Sequence, residues 1–180
     1  MSYLWILLAV SLVVSAVGWF YFIYFFSIGY GLSISALAVT SAILFSDVLT
    51  LPSAVLCGVL FVYGLRLAGY LFIRERKSAS YKKILYQPEN TTKKPFFVMF
   101  MIWVSCALLY VGQISPVSFY LFNIESGATP NEIVAWIGSA VALMGFLTET
   151  IADAQKNRAK KVNASRFVDK GLYKIVRCPY

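Results

Sequence analysis

Five long apolar stretches, nearly free of charge, dominate this sequence of 180 residues. A run of about 20 apolar residues is typical of a transmembrane helix, because lipid cannot hydrogen-bond to exposed backbone groups. The stretches cover residues 3–26, 30–46, 49–73, 96–112 and 132–148. The sequence therefore predicts an all-α protein: a polytopic transmembrane helical bundle with about five spans, forming a single membrane domain over residues 1–180.

The composition excludes several classes of function. Charged residues make up 13% of the chain and mean hydropathy is +0.72, whereas soluble domains carry about 25% charged residues. Histidine, the commonest metal ligand, is absent, and the three cysteines show no paired spacing, so we predict no metal site. The net charge of +8 comes from basic residues that flank the spans. Membrane topology explains this placement better than nucleic-acid binding does.

The basic residues predict the orientation of the chain. Of the 16 Lys and Arg residues, 15 lie either in a loop over residues 74–94 or in a tail over residues 149–180. Basic residues in short loops mark the cytoplasmic side of a membrane. We therefore expect both regions to be cytoplasmic and the N-terminus to be lumenal or periplasmic, in the endoplasmic reticulum or a bacterial inner membrane.

Two connecting segments are also predicted. Residues 27–31, which include two glycines, are expected to form the turn between the first two spans. Residues 113–131 contain Pro116, Pro130 and Glu125 and are followed directly by Glu132, so we expect them to leave the membrane. Within them, the apolar residues 117–122 are expected to rest in the membrane interface.

Arg66 lies inside the third predicted span. An Arg at the centre of a span costs at least about 2.5–3.5 kcal/mol, so it normally faces the interior with a partner. Tyr63, Arg66, Tyr70 and Arg74 are spaced three, four and four residues apart, which places them on one helical face. One hypothesis is a buried polar cavity; the other is that Arg66 snorkels outward and the tyrosines pack as aromatics.

A second polar stripe begins where the fifth span ends. Glu149, Asp153, Lys156 and Lys160 follow at spacings of four, three and four residues. Such carboxylates can accept hydrogen bonds from ribose hydroxyls or amides, and the lysines can hold phosphate. The alternative is a helix end stabilised by pairs of acidic and basic residues one turn apart. The spacing alone favours neither.

Three segments resemble the steroid 5-alpha-reductase-like membrane family, including its DUF1295-type relatives. The run from Glu149 to Lys156 is similar to the family's E-x-x-A-D-x-Q-K helix end. The tail Gly171-Leu-Tyr-Lys-Ile-Val-Arg177-Cys-Pro-Tyr180 resembles its G-L-W/Y-x-x-S-R-H-P-N-Y-F-G-E block. The Gly-Leu-Arg66-Leu-Ala-Gly-Tyr-Leu stretch resembles its R-L-G-x-x-L segment.

The resemblance implies reduction of a conjugated carbon–carbon double bond by NADPH, in a steroid, sterol or polyprenyl enone. Tyr63 matches the family's tyrosine that hydrogen-bonds the substrate carbonyl, and Arg66 its neighbouring basic residue. The remaining predicted site residues bind cofactor by the same correspondence or by the phosphate argument above: Glu149, Asp153, Lys156, Lys160, Arg177 and Tyr180. The predicted partners are a lipid-like small molecule and the membrane.

The sequence also departs from the family pattern. Cys178-Pro-Tyr180 stands where the family has His-Pro-Asn-Tyr, and the family's Phe-Gly-Glu and later spans are missing. We expect either a fragment of a longer enzyme or a chain without a finished active site. Two alternatives to the reductase therefore stay open: a non-catalytic, truncated or degenerate membrane relative, and an isoprenylcysteine-type methyltransferase that uses S-adenosylmethionine.

Overall fold

The computed structural model describes residues 2–77, 95–162, 168 and 171–175. These residues contain helices and connecting turns, with no strand in the part described. The helices are α1 (Ser2–Ser15), α2 (Ile28–Leu44), α3 (Leu51–Lys77), α4 (Phe96–Glu125), α5 (Glu132–Val162) and α6 (Leu172–Ile175). Five helical stretches are long and apolar enough to cross a membrane. The first two join α1 and α2 to a neighbouring 3-10 turn, and the other three lie in α3, α4 and α5. The predicted all-α bundle is confirmed, and the helices are those of an integral membrane protein.

The first turn lies earlier in the chain than the sequence predicts. One span over residues 3–26 was expected, but α1 ends at residue 15 and two 3-10 turns follow it. Between these turns Tyr21 is extended, with φ −142° and ψ 129°. The Phe25 side chain packs where a Cβ on Gly18 would lie. The turn residues are as apolar as the helix itself, so hydropathy could not separate them.

The fourth span is longer than predicted. α4 continues without interruption through Pro116. Because proline has no backbone N–H, the Gly112 carbonyl lacks its usual hydrogen-bond donor within the helix. The Ser115 hydroxyl donates to that carbonyl at 2.7 Å instead. The expectation that residues 117–122 rest in the interface is wrong: Leu121 among them is fully buried in the bundle. The serine allows the helix to tolerate the proline.

Buried serines join the helices inside the bundle. Ser11 of α1 donates to the Ala107 carbonyl of α4 at 3.1 Å, and Ser41 of α2 meets Ser118 of α4 at 3.0 Å. Small side chains and interhelical hydrogen bonds hold membrane helices together, since lipid supplies no hydrophobic force between them. The apolar cluster around these contacts consists of Leu7, Phe25, Ile34, Leu37, Ala38, Cys106, Tyr110 and Ile114.

α3 lies between α2 and α5 and packs against both. Its contact with α2 is the closer one, because the two backbones touch at Gly31 and Gly64: a Cβ on Gly64 would lie 2.3 Å from the Gly31 carbonyl oxygen. The Ser35 hydroxyl donates to the Phe61 carbonyl at 2.9 Å beside this crossing. α5 packs mainly on the other side of α3, and the polar residues lie along that contact.

Candidate functional site

α3 and α5 run in the same direction and in one constant register. Three hydrogen bonds join residues 87 positions apart: the Ser139 hydroxyl to the Pro52 carbonyl at 2.9 Å, Arg66 to Asp153, and the Tyr70 hydroxyl to the Asn157 side-chain oxygen at 2.9 Å. From residue 52 to residue 70 this contact extends over about 27 Å of helix. Both C-terminal halves therefore reach the same end of the bundle, called the basic end because α3 and α5 carry Arg74 and Lys156 there.

Arg66 bridges two carboxylates of α5. Its Nη2 donates to Oδ2 of Asp153 at 2.6 Å, and its Nη1 lies 3.4 Å from Oε1 of Glu149. The three side chains are 20%, 11% and 18% exposed. The guanidinium carbon also lies 5.9 Å from the centre of the Phe146 ring, a cation–π distance. Arg66 thus faces the neighbouring helix with two partners, and the snorkelling alternative is wrong.

A groove lies between α3 and α5, adjoining the ion pairs. Its volume is about 470 Å³, within the range of roughly 300–1,000 Å³ that is usual for ligand pockets. The polar residues that line it are Tyr63, Thr148 and Glu149, and the apolar ones are Val59, Leu60, Ala142, Gly145 and Phe146. The groove is apolar over most of its length and polar at the end nearest Arg66.

Tyr63 contributes a phenol to the polar end of this groove. Its ring meets the Phe146 ring edge to face, with the centroids 6.2 Å apart. Like Tyr30 of α2, it packs against the apolar cluster of the bundle, and Glu149 lines the same groove. A ligand that enters the groove therefore meets one phenol at the boundary between apolar and charged surroundings.

Tyr30, which packs against the same apolar cluster as Tyr63, is a residue that the sequence analysis did not single out. It directly precedes Gly31 at the α2–α3 crossing, as Tyr63 directly precedes Gly64. The run Gly29-Tyr-Gly31 was a usable signal, since small residues on both sides of a tyrosine allow a neighbouring helix to approach it closely. A hydropathy profile does not detect such a pattern.

The tail contacts α5 beside the ion pairs. The side-chain oxygen of Gln155 accepts a hydrogen bond from the Leu172 backbone N–H at 2.9 Å. Gly171 precedes it with φ +69°, and a Cβ there would lie 2.3 Å from the same Gln155 oxygen. The start of α6 is thus held against the helix turn that carries Asp153. Gln155 and Gly171 occur in the two tail motifs, but the sequence did not show that they meet.

The structure brings together four of the predicted site residues. Tyr63, Arg66, Glu149 and Asp153 form one cluster across α3 and α5. Lys156 and Lys160 are exposed on α5 beyond that cluster, toward the basic end. Arg177 and Tyr180 lie outside the described residues, as does most of the 74–94 loop. Within the described residues, no three His, Cys, Asp or Glu side chains are grouped to hold a metal ion.

The comparisons with known proteins give one result. The model of a family described as "Protein of unknown function (DUF1295)" matches residues 19–180, which includes every element of the site. No curated protein and no solved structure matches the chain.

Proposed function

The chain belongs to the DUF1295 family, and we propose that it is a membrane-embedded, NADPH-dependent reductase of a conjugated carbon–carbon double bond in a lipid-like enone. The motifs shared with steroid 5-alpha-reductase-like proteins suggest this chemistry. The observation that carries the proposal is the position of Tyr63: a phenol donor at the polar end of an apolar groove.

The geometry supports a role for Tyr63 in stabilising negative charge on the substrate. When an enone accepts hydride at its β-carbon, negative charge develops on the carbonyl oxygen. Tyr63 can donate a hydrogen bond to that oxygen, and its neighbours in the groove, Val59, Leu60 and Phe146, are apolar. In a dry site such a donor is worth far more than in water, about 2.7–4 kcal/mol in measured cases.

The residues near the groove fit the chemistry of NADPH, which when bound supplies the hydride. We assign Lys156 and Lys160 to its phosphates, because both are exposed cations on the helix that forms the groove. We assign Glu149 to a ribose hydroxyl or the carboxamide, because it lines the groove and can accept their hydrogen bonds. Asp153 is 8% exposed and lies against Arg66, so its role in the proposal is to hold Arg66, which in turn holds Glu149.

The proposal includes an orientation in the membrane. Of the 16 basic residues, 15 lie in the 74–94 loop and the 149–180 tail, so the basic end faces the cytoplasm, where NADPH is available. The N-terminus is then lumenal or periplasmic, in the endoplasmic reticulum or a bacterial inner membrane. A substrate that is apolar over most of its length enters the groove from the lipid.

The test is turnover and cofactor binding by the purified chain in detergent. The substrates are a 3-oxo-4-ene steroid and a polyprenyl enone, and NADPH binding is followed by calorimetry. We expect Tyr63→Phe to lower kcat by about 100- to 1,000-fold without changing the Kd for NADPH, because it removes one charge-stabilising donor. The combined Lys156→Ala and Lys160→Ala variant weakens NADPH binding instead.

The matched control is Tyr120→Phe, in which a tyrosine far along α4 loses its hydroxyl. That hydroxyl donates to the Asn131 backbone carbonyl at 3.4 Å and does not line the groove, so kcat stays unchanged. Absence of NADPH binding contradicts the proposal. Saturable binding of S-adenosylmethionine in place of NADPH identifies the methyltransferase alternative.

One observation favours the non-catalytic alternative. Arg66 already contacts both carboxylates of α5, and these ion pairs by themselves would lock α3 to α5. In that case Tyr63 is an aromatic packing residue. Binding of neither nucleotide, together with stability losses in the ion-pair variants, distinguishes this alternative from the reductase.

A further inference from the structure

A second groove lies on the outer face of α4. Its volume is about 590 Å³, and every residue that lines it belongs to α4: Ser105, Leu108, Leu109, Gly112 and Gln113. The two leucines are 55% and 65% exposed, and a Cβ on Gly112 would meet nothing within 4 Å. α1 and α2 hydrogen-bond to the other side of α4, through its buried residues Ala107 and Ser118. This groove therefore faces away from the bundle.

Gln113 lies within the hydrocarbon core of the membrane. α4 has 30 residues, and Gln113 lies about 26 Å along the helix from the first of them and about 18 Å from the last. Both distances are shorter than the hydrocarbon core, which is roughly 30 Å thick, so Gln113 stays inside the core whichever end of α4 protrudes. The span predicted from the sequence ended at residue 112, just before it.

The Gln113 carboxamide has no hydrogen-bond partner among the residues that the structure describes, and neither has the Ser105 hydroxyl on the same face. An amide in hydrocarbon without such a partner is strongly disfavoured. With α4 centred in the membrane, Gln113 lies about 12 Å from the nearer boundary of the core, beyond the reach of its side chain. Lipid tails can cover the leucines of the groove, but they cannot satisfy the carboxamide.

A second copy of the chain can satisfy it. Two copies have the same orientation in one membrane, so the α4 helices of a two-fold pair run parallel, and each residue along the contact meets its own counterpart at the same depth. A carboxamide contains both donors and an acceptor. Gln113 can therefore donate to Gln113 of the second copy and accept from it in return.

The other residues of the groove fit a parallel helix pair. Ser105, Leu109 and Gly112 are spaced four and three residues apart, which is the spacing of the contact line between two parallel helices. Small side chains at positions 105 and 112, two turns apart, allow the backbones to approach closely. Leu109 lies between them and packs against its own counterpart.

We propose that the groove on α4 is the contact surface of a homodimer, in which the α4 helices of two copies pack in parallel and the two Gln113 carboxamides hydrogen-bond to each other. This inference goes beyond the proposed function and does not depend on it. The α3–α5 groove lies on other helices, so each copy in the dimer keeps its own candidate site.

The first experiment measures association of the full chain in a bilayer. In a Cys178→Ser background, donor and acceptor dyes are attached at Ser126→Cys, and the two labelled forms are mixed in phosphatidylcholine vesicles. We expect energy transfer that falls with lipid dilution as a monomer–dimer equilibrium does. Gln113→Leu raises the dissociation constant about 3- to 30-fold, the effect of losing one interhelical hydrogen bond in a membrane. Gln113→Asn, which keeps the amide, raises it less.

Two glycines provide a matched pair of variants. Gly112→Leu separates the two α4 helices, so we expect the dissociation constant to rise about 10-fold or more. Gly138→Leu is the control, because a Cβ on this exposed glycine of α5 also meets nothing within 4 Å. It leaves the dissociation constant unchanged.

Cysteine cross-linking identifies the face and its occupant. Leu109→Cys and Leu147→Cys place a thiol on the exposed face of α4 and of α5. After oxidation of the membranes with copper phenanthroline, we expect a disulfide-linked dimer of the Leu109→Cys chain and none of the Leu147→Cys chain. Absence of energy transfer at every dilution overturns the proposal. So does transfer that neither Gln113→Leu nor Gly112→Leu weakens, and so does a cross-link from Leu109→Cys to a different protein.

Discussion

The two carboxylates that hold Arg66 contact it unequally. Asp153 lies at 2.6 Å and its side chain is 11% exposed, whereas Glu149 lies at 3.4 Å and is 18% exposed. The pair with Asp153 is shorter and more buried, so it offsets more of the free-energy cost of placing a cation within a membrane span. Glu149, the looser partner, also lines the groove and is placed to contact a ligand. Asp153 is thus mainly structural, whereas Glu149 faces the groove.

Neutralising these carboxylates should therefore have different effects. We expect Asp153→Asn to lower the free energy of unfolding by about 3–5 kcal/mol, because it leaves Arg66 without its close partner. Glu149→Gln should cost clearly less. Denaturant unfolding in detergent measures both, with Glu132→Gln, an exposed residue at the start of α5, as the control. Equal losses of unfolding free energy for the two variants would show that Asp153 and Glu149 stabilise Arg66 to the same extent.

Among the helices, α3 has different contacts on its two sides. Toward α2 it presents Gly64 and makes backbone contact; toward α5 it presents Tyr63, Arg66 and Tyr70. Polar residues at spacings of three and four thus lie on the face predicted from the sequence. The face toward α2 carries Gly64 and Ala68, small residues that the hydropathy pattern does not distinguish.

Two glycines of α3 provide a matched test of this arrangement. We expect Gly64→Ala to lower the free energy of unfolding by about 1–3 kcal/mol, since its Cβ would displace the α2 backbone. Gly58→Ala meets nothing within 4 Å and should instead raise it by up to about 1 kcal/mol through helix propensity. Unfolding in the same detergent measures both. A destabilising Gly58→Ala would indicate a contact that the described residues do not contain.

Across the whole molecule, the parallel course of α3 and α5 places their basic C-terminal halves on one side. The constant offset of 87 residues in three hydrogen bonds establishes this. The loop that follows α3 and the tail that follows α5 therefore start from the same end of the bundle. This agrees with the charge pattern of the sequence, while the side of the membrane stays a prediction.

Cysteine labelling tests the orientation. In a Cys178→Ser background, Cys57 and Cys106 are buried and should not react. With the chain expressed in a bacterial inner membrane, we expect an impermeant maleimide added to intact cells to label Ser126→Cys, in the exposed turn after α4, but not Lys160→Cys at the basic end. Permeabilised cells, in which both sites react, are the control. Labelling of Lys160→Cys alone in intact cells would reverse the topology.

The sequence by itself determined the fold class, the number of spans and the face of α3 that carries Arg66. These properties follow from hydropathy and from residue spacing along one helix, which are local. The family motifs also identified both carboxylates of α5. The ends of two spans were wrong, because the turn after α1 is apolar and because Ser115 compensates for Pro116 within α4.

Only the tertiary structure decided which residues meet. Arg66 has its partners 83 and 87 positions away, and α2 and α3 approach closely because two glycines let their backbones touch. The groove depends on the register of α3 against α5, which Ser139, Asp153 and Asn157 fix together. Such contacts depend on how whole helices pack, and no window of the sequence contains both partners.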